Sequence, residues 1–260
     1  STHMVDFENS YDHYDSIFCV GPHQMREIRK REELKGLSTK NLVEHGYTRL
    51  ERLMDEAASR PPQDNSKPVV LLAPTWGDQS ILNLCGEKVL SVLLDAGLHV
   101  ILRPHYHTRN LTPKIVDRLI KKFKDHPEFE VIEQMGETES LFRSDLMVCD
   151  WSAAAVEYSF GLEKPVLFID VPRRIRNPNW QELSIEPIEA FIRDQVGKIV
   201  SPDQLEQAPR LVGELLENPE QMKQNIREIR GQWVFNLGHS AQAAAEAIAE
   251  IAESRANERN

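Results

Sequence analysis

Leu146-Met147-Val148-Cys149-Asp150-Trp151-Ser152-Ala153-Ala154-Ala155-Val156-Glu157 decides how this chain is read. Four apolar residues with no polar neighbour between them make a strand buried on both faces. Asp150 and Trp151 end it, and Ser152 is placed to cap a helix whose first turn is built of small residues. A helix N-terminus offers free backbone N–H groups and the positive end of its dipole to an anion. Alanine at 153 and 154 lets a phosphate come close. Glu157 lies further along, where a carboxylate reaches ribose hydroxyls. The same residues also suit an ordinary cap with alanines chosen for close helix–sheet packing.

Outward from this segment the rhythm repeats. Val69–Ala73, His99–Leu102, Glu130–Ile132 and Val166–Ile169 are further short runs rich in Val, Ile and Leu. Helical stretches at about Leu82–Ala96, Lys114–Lys124, Glu137–Phe142 and Ala153–Phe160 separate them. Buried strands alternating with helices predict an α/β fold, a doubly wound, Rossmann-like parallel sheet with right-handed crossovers. Lys198–Val200 reads as another strand, and Ser201-Pro202-Asp203 as a cap and first turn. The tail from Gln204 to Arg255 reads as helical with a break near Gly231–Gly238, its Ala-rich last helix packing back on the sheet.

In front lie a strand at Ser16–Val20, a helix at His23–Lys35, a strand at Asn41–Tyr47 and a helix at Thr48–Ser59. Arg60–Pro68, with three prolines and no large apolar residue, reads as a linker. Residues 1–60 are thus expected to be the terminal strand–helix units of a preceding domain plus a hinge, and 67–260 a nucleotide-binding domain. Two strand–helix units do not easily close a sheet of their own.

Composition bounds the function. The 260 residues hold 41 acidic and 31 basic side chains, a net charge of −10, which argues against nucleic acid as a partner. Cys19, Cys85 and Cys149 each sit in an apolar run and read as reduced, buried thiols of a cytoplasmic protein. Ser1-Thr2-His3-Met4 lacks the order of a signal peptide, and no apolar run approaches the ~20 residues of a spanning helix.

Ligands of parallel α/β sheets bind at the carboxyl ends of the strands. The residues there are Pro74-Thr75-Trp76-Gly77-Asp78, then Arg103-Pro104-His105-Tyr106-His107-Thr108-Arg109, then Glu133-Gln134-Met135-Gly136. Asp150-Trp151-Ser152-Ala153 and Asp170-Val171-Pro172-Arg173-Arg174-Ile175-Arg176 complete the edge. In an extended segment, alternation puts Arg103, His105 and His107 on one face, suited to an anion that a histidine shields or protonates. Solvated loop histidines are the plainer reading, and a metal pair lacks a third ligand. Arg173, Arg174 and Arg176 could hold a polyanionic acceptor or an acidic membrane face, or form a solvated charge run. Trp76 and Trp151 could stack on a base or fill the core; His23 and His45 read as surface histidines. G-x-G-x-x-G after a strand, G-x-x-x-x-G-K-[ST] and G-x-S-x-G are all absent, against NAD-type, P-loop and α/β-hydrolase sites.

Ala73-Pro74-Thr75-Trp76, Arg103-Pro104-His105, Ser144–Ser152 and Lys164-Pro165-Val166-Leu167-Phe168 follow one another in an order that resembles the CDP-glycerol glycerophosphotransferase family. These are GT-B-type enzymes that build teichoic-acid-like polyol phosphate polymers. The resemblance runs from about Ser16 onward and implies the C-terminal, donor-binding domain of that family. It implies His105 as the catalytic residue near a pyrophosphate, Ser152 binding that pyrophosphate at the helix N-terminus, and Glu157 on the ribose. Thr75, Trp76, Arg103, His107, Asp150, Trp151 and Ala153 complete the implied donor site, with Arg173, Arg174 and Arg176 toward the acceptor or membrane. The implied reaction is attack by an acceptor hydroxyl on the β-phosphorus of a CDP-linked polyol, with CMP leaving. The implied acceptor is a polyol phosphate or a lipid-linked hydroxyl met at the inner face of the membrane. No cofactor or metal is expected.

The chain departs from the family in three places. Asp150-Trp151-Ser152-Ala153 stands where the family usually has Asp-Tyr-Ser-Ser. His45-Gly46-Tyr47-Thr48-Arg49-Leu50-Glu51 resembles its Gly-Tyr-Pro-Arg-Asn-Asp hinge with Pro and Asp replaced. A Trp-His-Gly segment, whose histidine is the family's expected base, is missing, and His3 is no stand-in. A UDP-sugar transferase or epimerase of GT-B type, or a nucleotide-binding module without catalysis, are the competing readings.

Overall fold

Val69–Leu72, His99–Leu102, Leu146–Cys149 and Val166–Ile169 become the centre of a sheet because every residue but Val69 and His99 is buried. The computed structural model describes residues 4, 6, 9–61, 63, 65–132, 134 and 136–258. Ser1–His3, Pro62 and Asp64 of the proline-rich stretch, and Glu133 and Met135 after the third run lie outside them.

Among the described residues the strands are β1 Ser16–Cys19, β2 Asn41–Glu44, β3 Val69–Leu72, β4 His99–Leu102, β5 Phe129–Val131, β6 Leu146–Cys149, β7 Val166–Ile169 and β8 Gly197–Val200. The helices are α1 Pro22–Lys35, α2 Thr48–Ala58, α3 Ile81–Leu84, α4 Gly86–Asp95, α5 Tyr106–Leu111, α6 Pro113–Phe123 and α7 Glu139–Arg143. They continue with α8 Ala153–Leu162, α9 Ile188–Phe191, α10 Ala208–Leu216, α11 Pro219–Trp233 and α12 Ser240–Glu258. The chain divides into two compact units, 1–55 with 175–188 and 228–260, and 56–174 with 189–227. This differs from the expected split between 60 and 67: α12, expected on the large sheet, belongs with β1 and β2.

In the second unit six parallel strands run in the order β5-β4-β3-β6-β7-β8. Val70, Leu72, Val100, Leu102, Leu146, Val148, Leu167 and Ile169 share one core with Val89, Leu90 and Leu93 of α4, Val116 and Leu119 of α6, and Val212 and Leu215 of α10. Leu71, Ile101, Met147 and Phe168 point the other way by strand alternation and are equally buried. The sheet is therefore covered on both faces, as its unbroken apolar runs require. At its amino edge the half-buried Lys164 donates to Phe142 O (2.6 Å) and Ser144 O (2.5 Å), the carbonyls left over where α7 ends. Burial lowers its ammonium to about 8.

In the first unit β1 and β2 pair in parallel through α1. Gly46, at φ +103°, has no room for a side chain: a Cβ would lie 2.3 Å from Ser240 Oγ and 2.4 Å from Phe235 O. Tyr47 N donates to Ser240 Oγ at 2.9 Å. Glu51 Oε1 accepts from Gly238 N (2.7 Å), Ser240 N (3.1 Å) and Ser240 Oγ (2.5 Å), so this carboxylate closes the N-terminus of α12. Burial acts to raise the Glu51 carboxyl, but the Ser240 and Gly238 hydrogen bonds and the His239 charge outweigh it and hold the group below its ordinary value. Glu51→Ala is expected to lower unfolding stability by about 1–2 kcal/mol, the scale of a lost cap. Glu51→Gln, which keeps an acceptor oxygen, should cost less in the same urea titration.

Both N-terminal histidines were expected at the surface. His45 is half-buried edge-on to Phe18, with centroids 5.7 Å apart. His23 is 7 % exposed beside the Trp233 ring, and burial pushes its pKa down to about 4. The three cysteines are free, and burial raises each thiol.

Candidate functional site

Numbered along the chain, the six-stranded sheet runs 3-2-1-4-5-6, so the strand order reverses between β3 and β6. Ligands of open α/β sheets bind at that reversal, outside the carboxyl ends of the strands. Asp150, which follows β6, is the joint there. Its Oδ1 accepts from Thr75 N at 2.8 Å and its Oδ2 from Ile81 N at 3.1 Å, both buried bonds. At 1 % exposure the carboxylate ties down the loop after β3 and offers nothing to a ligand, contrary to the donor-site expectation. Burial raises its pKa against the pull of those two N–H groups.

Ser152 caps α8 as expected: its Oγ accepts from Ala154 N at 3.2 Å, in extended backbone at φ −122°, ψ 135°. Having accepted that bond, the hydroxyl still has its own proton to donate. Ala153 is exposed and Ala154 half-buried, so no bulk screens the start of the helix. Glu157 is half-buried further along α8.

The loop after β4 differs from the extended run that alternation suggested. Pro104 keeps Arg103 extended, but the chain then turns into α5 with His105 as N-cap, its Nδ1 accepting from His107 N at 3.0 Å. That bond fixes the neutral tautomer, leaving the proton on Nε2. Burial first, then the charges of His107 and Arg174, lower the His105 pKa, so near neutrality this ring is a hydrogen-bond donor through Nε2. His105 and His107 stack with centroids 5.3 Å apart, and His107 lies 4.6 Å from Trp76. Arg103 does not share their face: its Nη2 donates to Glu137 O at 2.6 Å.

Two consecutive arginines reach two tryptophans. The Arg174 guanidinium lies 4.2 Å from the Trp76 ring, and its Nη1 donates to Thr75 Oγ1 at 3.2 Å. Arg173 lies 5.0 Å from Trp151, whose Nε1 donates to Val171 O at 2.7 Å. Neither is part of a solvated charge run. Arg176 belongs to the other unit, where its N–H donates to Met4 O at 3.0 Å. A guanidinium thus lies over each indole.

Arg193 was not foreseen. It is 3 % exposed, bonded to Asp170 Oδ1 at 2.8 Å, and lies 4.1 Å from the Trp151 ring, with Nε and Nη2 buried without a partner. The only sequence signal was an arginine directly after the apolar pair Phe191-Ile192. Among the described residues no group of three His, Cys, Asp or Glu side chains is placed to hold a metal. No described helix is long and apolar enough to cross a membrane.

The edge therefore gathers a capped helix start, a neutral histidine donor and stacked guanidinium groups at the reversal point, an arrangement suited to an anion. Several solved structures share the fold. The wall teichoic acid polymerase TagF, soaked with CDPG, aligns over 93 % of this chain and 58 % of its own, at 16 % identity and a TM-score of 0.53. Sucrose-phosphate synthase from Thermosynechococcus elongatus aligns over 94 % and 60 %, at 14 % identity and a TM-score of 0.54. A putative UDP-N-acetylglucosamine 2-epimerase from Listeria monocytogenes aligns over 86 % and 58 %, at 16 % identity and a TM-score of 0.56. The fold is thus GT-B-like, and the chain spans about 60 % of the length of these structures. A comparison with curated proteins finds no match. The family model that does match covers residues 1–172, from the first unit through β7, and stops just short of Arg173. By that match the chain belongs to the CDP-glycerol:poly(glycerophosphate) glycerophosphotransferase family.

Proposed function

We propose that this chain binds the donor in a transferase that moves a polyol phosphate from a CDP-linked polyol to an acceptor hydroxyl. The observation that carries the reading is the start of α8, with Ser152 as its cap, at the strand-order reversal. The acceptor oxygen bonds to the β-phosphorus, the bond from that phosphorus to the bridging oxygen breaks, its electron pair leaves on the oxygen of CMP, and the acceptor's proton passes to solvent. Such a step needs the charge on the phosphates neutralised more than it needs a covalent intermediate. His105, whose Nδ1 already accepts a backbone hydrogen, is suited to donate from Nε2 to a phosphate oxygen rather than to take the acceptor's proton. In the family context the acceptor is a polyol phosphate or lipid-linked hydroxyl, and the protein works in teichoic-acid-type polymer synthesis at the inner face of the membrane.

Calorimetric titration with CDP, CDP-glycerol and UDP tests the reading. Cytidine-selective binding is expected. His105→Asn, which keeps a capping oxygen for His107 N but loses the Nε2 donor, should weaken CDP binding about tenfold, ~1.4 kcal/mol, with little change in melting. Preference for uridine would move the chain to the nucleotide-sugar enzymes, and no binding of either would overturn the donor site.

A further inference from the structure

Arg173 and Arg174 stand on a segment without regular structure, just past the end of the family match. Consecutive side chains of an extended chain point to opposite sides. Each of these two meets an aromatic ring on a different strand end: Trp151 after β6 for Arg173, Trp76 after β3 for Arg174. Those strands flank the reversal point, and Asp150 bonds across it to the loop that carries Trp76. The loop after β7 is therefore laid over the crevice by two cation–π contacts. A solvated or membrane-facing run would instead keep such side chains off the rings.

The guanidinium centres lie 5.0 and 4.2 Å from the ring centroids. A guanidinium spreads five N–H donors over a plane, one of which Arg174 gives to Thr75 Oγ1, so arginine can meet a ring and a phosphate at once. Lysine's ammonium is a point charge without that spread. Arg174 and His105 both lie against Trp76, 4.2 Å and 6.2 Å from its ring, which sets this guanidinium beside the histidine of the donor reading. Arg193, fixed by Asp170, backs Trp151 from within the core.

We propose that Arg173 and Arg174 form a clamp for two adjacent phosphates, so that this site discriminates a diphosphate from a monophosphate. This rests on the donor reading above and names the part of the donor it recognises: the pyrophosphate, not the acceptor or a membrane. It also favours product release, because CMP, with a single phosphate, engages only part of the clamp that holds the CDP-linked donor.

The test titrates the full chain with inorganic pyrophosphate, orthophosphate, CDP and CMP, in wild type and in Arg174→Lys and Arg173→Lys. Wild type should prefer pyrophosphate over orthophosphate and CDP over CMP. Arg174→Lys, which keeps the charge, should lose about tenfold or more in pyrophosphate and CDP affinity while CMP changes less than about twofold. Arg173→Lys should act in the same direction. Equal losses for CDP and CMP, or unchanged CDP binding in both variants, would overturn the clamp and leave the donor reading standing. Pyrophosphate selectivity lost in Arg174→Lys without any cytidine preference would uphold the clamp and overturn the CDP reading. A wild-type chain that binds none of the four overturns both.

Discussion

Asp150→Ala is expected to lower the stability of the second unit by about 2–4 kcal/mol and to abolish nucleotide binding. The carboxylate is buried and takes the N–H groups of Thr75 and Ile81, so its removal strands two buried backbone donors. Each such orphan costs about 1–3 kcal/mol. Part of that is returned, because the carboxylate itself is held in a poorly solvated place that raises its pKa. For a unit of this size the net loss corresponds to roughly 10 °C in melting temperature. Asp150→Asn keeps an acceptor for one N–H and turns an amide donor on the other, so it should fall between. Thermal melting and CDP titration of the three proteins check this. An alanine variant that melts within about 2 °C of wild type would show that Asp150 does not hold the loop.

Stability should also fall steeply between pH 6.5 and pH 4, and His23 is the cause. The ring is 7 % exposed, lies 6.2 Å from the Trp233 ring, and has Nδ1 buried without a partner. Burial depresses its pKa to about 4, with Glu27 opposing and Arg26 assisting. In the unfolded chain the same side chain takes up its proton near the ordinary value of about 6.5. Across the interval the unfolded state binds more protons than the folded one, so folding weakens as pH drops through it. Below about 4 both states are protonated and this group adds no further loss. The shift amounts to about 3 kcal/mol. Urea midpoints at pH 7, 6, 5 and 4.5 measure it, and His23→Leu should flatten the slope. Parallel curves for the variant and wild type would assign the acid sensitivity to other groups.

How far residues announced their places varies by element. His99–Leu102, Leu146–Cys149 and Val166–Ile169 are bounded as the sequence suggested, because each is an apolar run closed by a polar or proline residue. The single helix expected at Leu82–Ala96 is interrupted at Cys85, at φ −148° and ψ 15°, and Gly86 directly after it is the mark that the reading passed over. α5 went unforeseen because its cap is a histidine rather than Ser, Thr, Asp or Asn. Ser152 was legible as a cap for the opposite reason. Asp150 read as a ligand and is a joint, since burial and partners 69 and 75 residues away carry no local signature. The same holds for Arg173 and Arg174, whose charge was plain and whose aromatic partners were not.

The first unit is assembled from distant parts of the chain: β1, α1 and β2 lie within residues 16–44, but Trp233, Phe235, Gly238 and Ser240, which close around them, come some two hundred residues later. During synthesis these early strands leave the ribosome long before their partners exist. At about 5–20 residues per second they wait on the order of ten seconds or more for these later residues. The large sheet, whose strands lie within 69–200, can close in that interval. Closure of this unit thus waits on α12, although its strands are made before those of the large sheet.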